Sequence, residues 1–365
     1  MNSILIVRSK RSKSVGGTEL RSSQIQVQAH NIVGFDTQVL EYPGAKHIKF
    51  NLCSMFGIAI KSFKYLREFR FGLLSPLKLA ILEDYIGKMK IIRRPNVIFW
   101  EPHTDPLSYA GIVLRRLWPE AMLIAFPHNV ESLVPRIQKY TTVEILSSFN
   151  LEVAALSHAN VVAGISQFDT HMYDSFGLAS IYYPFSPTTA RKKYLESIKA
   201  RRKNSGKSHV IILGSAQNTP TYMGMLEQFK IIREYQLDIQ FVLAGRKLPG
   251  EEKYNDLSIF SYNNPTDEEL AELLVGAMCI WVHQAKTTGS LTRVSEALIM
   301  GLPVLGNIDA VRDFANSAGV CVYDDSLSDF KDELYKALEL GCFSNSGEFY
   351  YTDGAEALLK AVVRS

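Results

Sequence analysis

TTGSLTRVSEALIMGLPVLG, residues 287–306, decides how this chain is read. Polar turn residues lead into a short amphipathic helix, and Gly301 and Pro303 then hand over to an apolar strand. At about 100° per residue, Leu291, Val294 and Leu298 share one helical face, and Arg293, Glu296 and Met300 share the opposite one. Gly289 and Ser290 are expected to open the helix, with Leu291 and Thr292 following, where N–H groups without intrahelical partners favour a diphosphate. Glu296 lies less than two turns further in. Its carboxylate can accept two hydroxyl donors at once, which is what a nucleotide ribose offers. The plainer alternative is a surface salt bridge between Arg293 and Glu296 at i, i+3, worth about a few tenths of a kcal/mol.

Working outward, short apolar runs alternate with helical patterns. SILIVRS, TQVLEY, NVIFW, MLIAFP and NVVAGIS mark strands of a first half, with a helix near residues 17–33. HVIILGS, DIQFVLAG, LSIF, MCIWVH, LPVLG and VCVYD repeat the rhythm in a second, with helices between them. Such alternation specifies βαβ units and parallel sheets. SPTTARKKYLESIKARRKNSGK, residues 186–207, is polar and basic and reads as a linker. The expected architecture is α/β with two Rossmann-like, doubly wound domains, residues 1–187 and 188–365, facing each other across a cleft. EFYYTDGAEALLKAVVRS reads as a closing helix that returns to the first domain or stays on the second.

The 365 residues exceed what one apolar core comfortably holds. A hydrophobic content of 47% with 21% charged residues fits a globular enzyme rather than a disordered or fibrous chain. The net charge of +3 conceals an asymmetry: 20 basic and 14 acidic residues precede Phe185, against 20 and 23 after it. Much of the surplus lies in residues 61–95, where Lys and Arg mix with Phe, Leu and Ile. Such a face suits an anionic membrane surface or acidic acceptor; the plainer alternative is a solvated helix whose lysine stems cover apolar surface. Cys53, Cys279, Cys321 and Cys342 lack CxxC spacing and suit a reducing compartment. The hydrophobic start is too short for a secretory signal, so the expected location is cytoplasmic, peripheral on the inner membrane face if the basic segment binds lipid. No nucleic-acid partner is expected.

SVGGTELRSSQ, residues 14–24, follows the first strand. Gly16 and Gly17 allow a tight turn near a ligand, and Thr18 is expected to cap the next helix. The segment is neither GxGxxG nor a Walker sequence, which weighs against an NAD-dependent oxidoreductase or a P-loop protein. AFPHNVES, residues 125–132, places His128, Asn129 and Glu131 at the mouth of a buried strand, and WEPH places His103 after another.

The segment from Gly289 to Gly306 resembles the donor-binding part of GT-B glycosyltransferases, in particular retaining glycosyltransferase family four. Its members carry a glutamate followed by Ala and then Gly-x-Pro-Val. GGTELR is similar to that family's first glycine-rich loop, FPHNVES to its histidine after a first-domain strand, and HVIILGSAQNTPTYMGMLEQF with FVLAG to its second-domain opening. The similarity runs in order over nearly the whole chain. It implies that His128 faces the donor sugar as the catalytic residue. It also implies that Gly16, Gly17, Gly214, Ser215, Thr288, Gly289, Ser290, Leu291, Thr292 and Glu296 contact the donor, with Asn129 and Glu131 shaping the acceptor side; His103 joins them on that side as a second cleft candidate, because Asp105 followed by Pro106 reads as a cap and first helical residue. An imidazole there can hydrogen-bond a sugar hydroxyl or balance charge as the glycosidic bond breaks.

Two positions depart from the pattern. Thr288 stands where many members have a second glutamate, and GSAQNTPTY lacks the usual Arg and Lys. Arg246 and Lys247 are the nearest basic substitutes, or plain loop charges. There is no HExxH and no DxD pair, so neither a metal nor another cofactor is expected. The expected function is transfer of a sugar, with retention, from a UDP- or GDP-linked donor to a glycan or a polyprenyl- or other lipid-linked acceptor in polysaccharide biosynthesis. An epimerase, a nucleotide-sugar hydrolase and a non-catalytic scaffold remain the alternatives.

Overall fold

Ile4, Leu5, Ile6 and Val7 are all buried, and a strand with both faces covered must lie inside a parallel sheet. In the computed structural model this is β1 (Asn2–Ser9), second strand of six. The structure describes residues 2–10, 16–44, 52–66, 74–89, 91–103, 106–135, 141–324, 327–341 and 363. These form two units, one of Met1–Leu133, Tyr140–Pro184 and Thr352–Ser365, the other of Val134–Lys139 and Phe185–Tyr351.

In the first unit β2 (Phe35–Tyr42), β3 (Val97–Trp100), β4 (Met122–Ala125), β5 (Val161–Gly164) and β6 (Ser180–Tyr182) join β1 in the parallel order β2-β1-β3-β4-β5-β6. The helices are α1 (Gly17–His30), α2 (Leu52–Leu66), α3 (Leu74–Lys88), α4 (Ala110–Leu117), α5 (Thr142–Leu156) and α6 (Gln167–Ser175). β1 has β2 on one side and β3 on the other, so the chain reverses direction across the sheet there; ligands bind at the carboxyl ends of strands at such a point. The closing segment of the chain lies outside the described residues save Val363, buried with Ile4, Ile6 and Phe99.

The second unit repeats the plan. α7 (Thr189–Arg202), β7 (His209–Ser215), α8 (Thr219–Tyr235), β8 (Phe241–Arg246), β9 (Ile259–Asn263), α9 (Asp267–Gly276), β10 (Ala277–Val282), α10 (Thr292–Ile299), β11 (Val304–Asn307), α11 (Ile308–Val311), β12 (Val320–Tyr323) and α12 (Leu327–Leu340) follow in order. Its sheet runs β12-β11-β10-β7-β8-β9, all parallel, with the reversal between β7 and β10. Thr266 and Glu269 close a capping box at the start of α9.

The linker expectation for residues 186–207 is corrected. Thr188 caps α7, Leu195 and Ile198 are buried in the second core, and Arg202 is buried too, donating to the carbonyls of Leu274 and Ala277. A helix needs only one apolar residue every three or four to be anchored, so an otherwise basic segment hid it. β6 was not foreseen either, since it is three residues long.

Candidate functional site

The first unit gathers four ionisable side chains at its reversal point. Glu101 follows β3 directly, its amide donating to Val7 O at 3.0 Å, and His128 follows β4 after Phe126 and Pro127. Glu101 and His128 are 2% and 7% exposed. His128 Nε2 stands 3.7 Å from Glu101 Oε2, which accepts a short hydrogen bond from the Ser22 hydroxyl on α1. The rings of His103 and His128 are 4.9 Å apart, tilted by 53°. His103 Nδ1 faces Glu131 Oε1 at 3.8 Å, and Asn129 Nδ2 donates to that oxygen at 3.0 Å. Glu152 on α5 fixes the turn, accepting from the amides of Glu131 and Ser132 and from the Ser132 hydroxyl.

Burial and charge split the two imidazoles. Burial pushes His128 below the ordinary histidine value, His103 and Arg21 adding to this against the pull of Glu101. His103 moves up: burial would lower it, but the Glu131 carboxylate facing it, aided by Glu101, more than offsets that. Burial would raise Glu101 and Glu131, but each is held low by its histidine neighbour, Glu101 also by Ser22 and Glu131 also by Asn129. One neutral and one readily protonated imidazole, each beside a carboxylate, can hold or pass a proton. Glu101, Ser22 and Glu152 were not foreseen. Glu101 had a signal, a carboxylate ending an apolar strand next to the strand that ends at His128.

Gly16 is the residue before α1, in extended conformation, with Gly17 the first helical residue; Thr18 lies inside the helix and is not its cap, a correction to the expectation. Residues 11–15 lie outside the described set. Arg21, fully buried, donates to the carbonyls of Tyr183 and Pro184 and to Gln24, and burial lowers it to about 10. It ties α1 to the segment after β6.

In the second unit Gly214 and Ser215 end β7, paired in register with Gly245 and Arg246 of β8; Lys247 follows, exposed, at φ +46°. Beyond β10 the chain is clamped: Gln284 N donates to Asn307 Oδ1 and Asn307 Nδ2 to Gln284 O, both at 3.0 Å. Arg312 pins the Thr287 carbonyl at 2.8 Å, Thr288 is buried, and Gly289 takes φ +86°, in the region glycine favours.

Two expectations for this helix are corrected, and the salt-bridge alternative is excluded. α10 starts at Thr292 with Leu291 before it and no capping side chain, so Gly289 and Ser290 lie in the loop rather than opening the helix. Met300, placed on the face opposite Leu291, Val294 and Leu298, is buried in one core with Val294 and Leu298 and with Leu195 and Ile198 of α7. Glu296 does not pair with Arg293. Its Oε1 and Oε2 accept from Arg191 Nε and Nη2 at 2.7 and 2.9 Å, a bidentate pair from α7 that the linker reading concealed. Burial would lower Arg191, but Glu296 more than offsets this and raises it.

On α2, Phe56, Ile60 and Phe63 are 72%, 51% and 69% exposed at i, i+4 and i+7, with Lys64 exposed beside them, while Ile58 and Tyr65 are buried. Residues 67–73 and 90 of the basic segment are outside the described set. Among the described residues no helix is long and apolar enough to cross a membrane, and no group of three metal-ligating side chains occurs. Cys279 and Cys321 are free and buried; Cys342 and the Cys53 side chain are outside the described set.

No family model matches the sequence, and no curated protein does. Solved structures match over the whole chain. A trehalose-phosphate synthase (UDP-forming) from Burkholderia xenovorans, in complex with glucose-6-phosphate, aligns with TM-score 0.61 at 10% identity over 99% of this chain and 96% of its own. Sucrose-phosphate synthase from Thermosynechococcus elongatus gives 0.60 at 14% identity over 100% and 94%. UDP-GlcNAc 2-epimerase from Methanocaldococcus jannaschii gives 0.54 at 14% over 100% of both chains. At such identities the likeness is one of fold, and that fold is GT-B, an α/β arrangement of two doubly wound parallel sheets.

Proposed function

We propose that this protein is a glycosyltransferase that moves a sugar from a nucleotide-diphosphate donor to a glycan or lipid-linked acceptor, with retention of configuration. The observation that carries the reading is Glu296, a nearly buried carboxylate on α10, beyond an uncapped helix start at the reversal point of the second sheet. The first-turn amides of α10 take the diphosphate, and the remaining lone pairs of Glu296 take the ribose hydroxyls. The sugar C1–O bond breaks with its electron pair going to the diphosphate. The acceptor oxygen bonds C1, and its proton passes to the departing phosphate. Amides and helix dipole stabilise the charge where it develops. In the first unit, His128 serves the sugar as a neutral imidazole, Glu101 stabilises any proton it takes up, and His103, Asn129 and Glu131 serve the acceptor.

The neighbours named UDP-forming trehalose-phosphate synthase and sucrose-phosphate synthase support sugar transfer. The exposed Phe56, Ile60 and Phe63 beside Lys64 support a lipid-linked acceptor at an anionic surface in polysaccharide assembly. A thermal-shift screen of UDP, GDP, ADP and CMP, followed by nucleotide release from matching sugars, tests the reading. One diphosphate is expected to stabilise the protein, and Glu296→Ala to abolish that shift; no shift from any of them ends the proposal. Co-sedimentation with phosphatidylglycerol vesicles, lost in Phe56→Asp/Phe63→Asp, tests the membrane part separately.

Epimerisation is the second reading, favoured by the 2-epimerase neighbour matched over both whole chains. Product analysis separates the two, because transfer requires an acceptor and epimerisation leaves the sugar isomerised without one.

A further inference from the structure

Arg293, the second residue of α10, is a cation without a counterion. Its Nε is shut off from solvent and hydrogen-bonds to nothing. Its Nη2 makes one long bond, 3.3 Å, to the neutral Gln284 Oε1, which Thr221 Oγ1 shares at 3.3 Å. Among the described residues no carboxylate pairs with it, since the neighbouring Glu296 is taken by Arg191. Burial alone brings the guanidinium down to about 10. A partly buried guanidinium with its Nε shut off and no carboxylate beside it is unfavourable for the free protein, and a bound anion would offset that.

The location says which anion. A β-carbon on Gly214 would meet Thr221 Cγ2 at 2.6 Å and Met225 Cε at 3.0 Å and then Arg293 Nη1 at 3.2 Å, which places the guanidinium against the end of β7. Gly214 is the last residue but one of β7 and Gln284 follows β10, the two strands flanking the reversal of the sheet. The uncapped start of α10 lies one residue before Arg293. Helix amides, a glycine strand end and an unmatched guanidinium together make a phosphate subsite.

We propose that Arg293 is the diphosphate-neutralising cation of the second unit, the role left open by GSAQNTPTY and given in the sequence reading to Arg246 and Lys247. The inference rests on the donor-site reading above and names the group that holds its charge. Arg246 and Lys247, at the end of β8 one strand further from the reversal, then have no part in it.

The test uses the full chain with three probes: inorganic diphosphate, inorganic monophosphate, and whichever nucleoside diphosphate gives the largest thermal shift. In native protein the Arg293 side-chain Nε–Hε cross-peak, identified as the one missing from Arg293→Lys, is expected to move on saturation with inorganic diphosphate. In calorimetry, Arg293→Met is expected to weaken diphosphate and nucleoside diphosphate roughly ten- to hundredfold, the loss of one or two charge-assisted bonds, while Arg246→Met changes neither more than twofold. Monophosphate binding too weakly to measure assigns the site to the diphosphate group rather than to free phosphate; monophosphate binding as tightly as diphosphate overturns that assignment. Without ligand, Arg293→Met is expected to melt no lower than wild type. A structural role predicts the reverse, a lower melting temperature with unchanged affinity, and that result overturns the inference, as does an unmoved cross-peak. If inorganic diphosphate behaves as expected but no nucleoside diphosphate binds, the donor reading fails while the anion site stands.

Discussion

Arg191→Met tests the pair that organises α10. The two contacts, 2.7 and 2.9 Å, join side chains 26% and 11% exposed. Exposed pairs contribute about 0.2–1 kcal/mol, whereas removing one partner of a fully buried pair costs about 3–5 kcal/mol. Arg191 is the more open partner, so deleting it leaves a mostly buried carboxylate that water reaches only in part. The expected loss lies between the limits, about 2–3 kcal/mol, with roughly 5–10 °C off the melting temperature of a unit this size. Glu296→Gln keeps shape and one acceptor and should cost less, about 1 kcal/mol. Urea denaturation followed by circular dichroism on both single variants and the double gives the coupling energy, expected near ~1.5 kcal/mol. Additive losses with coupling under about 0.5 kcal/mol would refute the claim that the two side chains act as one unit.

His128→Ala should leave nucleotide binding within twofold and lower turnover by about 100-fold or more, the usual contribution of a positioned acid–base group; equal turnover removes His128 from the reaction. His103 has a raised value in the folded protein, so its stabilisation is complete below the unfolded histidine value and is lost as pH rises through the folded one. Melting temperatures from pH 6 to 8.5 should therefore fall more steeply for wild type than for Glu131→Gln, and parallel curves would exclude the His103–Glu131 interaction as the cause. Gly224→Ala would set a β-carbon 1.9 Å from the backbone oxygen of His283, forcing α8 off β10 at a cost of about 3 kcal/mol, read by urea midpoint.

The sheets were legible because central parallel strands are continuous apolar runs: HVIILGS and MCIWVH can be little else, and the edge strands β2 and β9, which are largely unburied, were read from shorter apolar stretches, TQVLEY and LSIF. Glu296 and His128 were legible by motif. Arg191 was not, because its helix looks like a basic linker until Leu195 and Ile198 find their core. Arg293 was given no role for a related reason. Helical spacing offered Glu296 as its partner at i, i+3, and only tertiary structure shows that carboxylate already claimed from another helix. Glu101 carried a signal, a carboxylate at the end of the apolar run NVIFW, but its imidazole partner 3.7 Å away comes from a separate strand, and only the sheet order brings the two together.

The buried indoles have a practical use. Trp100 lies in the first unit, its N–H donating to Leu107 O at 2.7 Å, and Trp281 in the second, donating to Tyr323 Oη at 3.0 Å. Each half thus carries its own built-in fluorophore, quenched or shifted only when that half opens. Trp118, half-buried after α4, is the third indole and also belongs to the first unit, so Trp100→Phe with Trp118→Phe leaves the emission of Trp281 alone, and Trp281→Phe leaves that of the first unit alone. Two superimposable melts would mean one cooperative block, and two displaced melts would rank the halves by resilience.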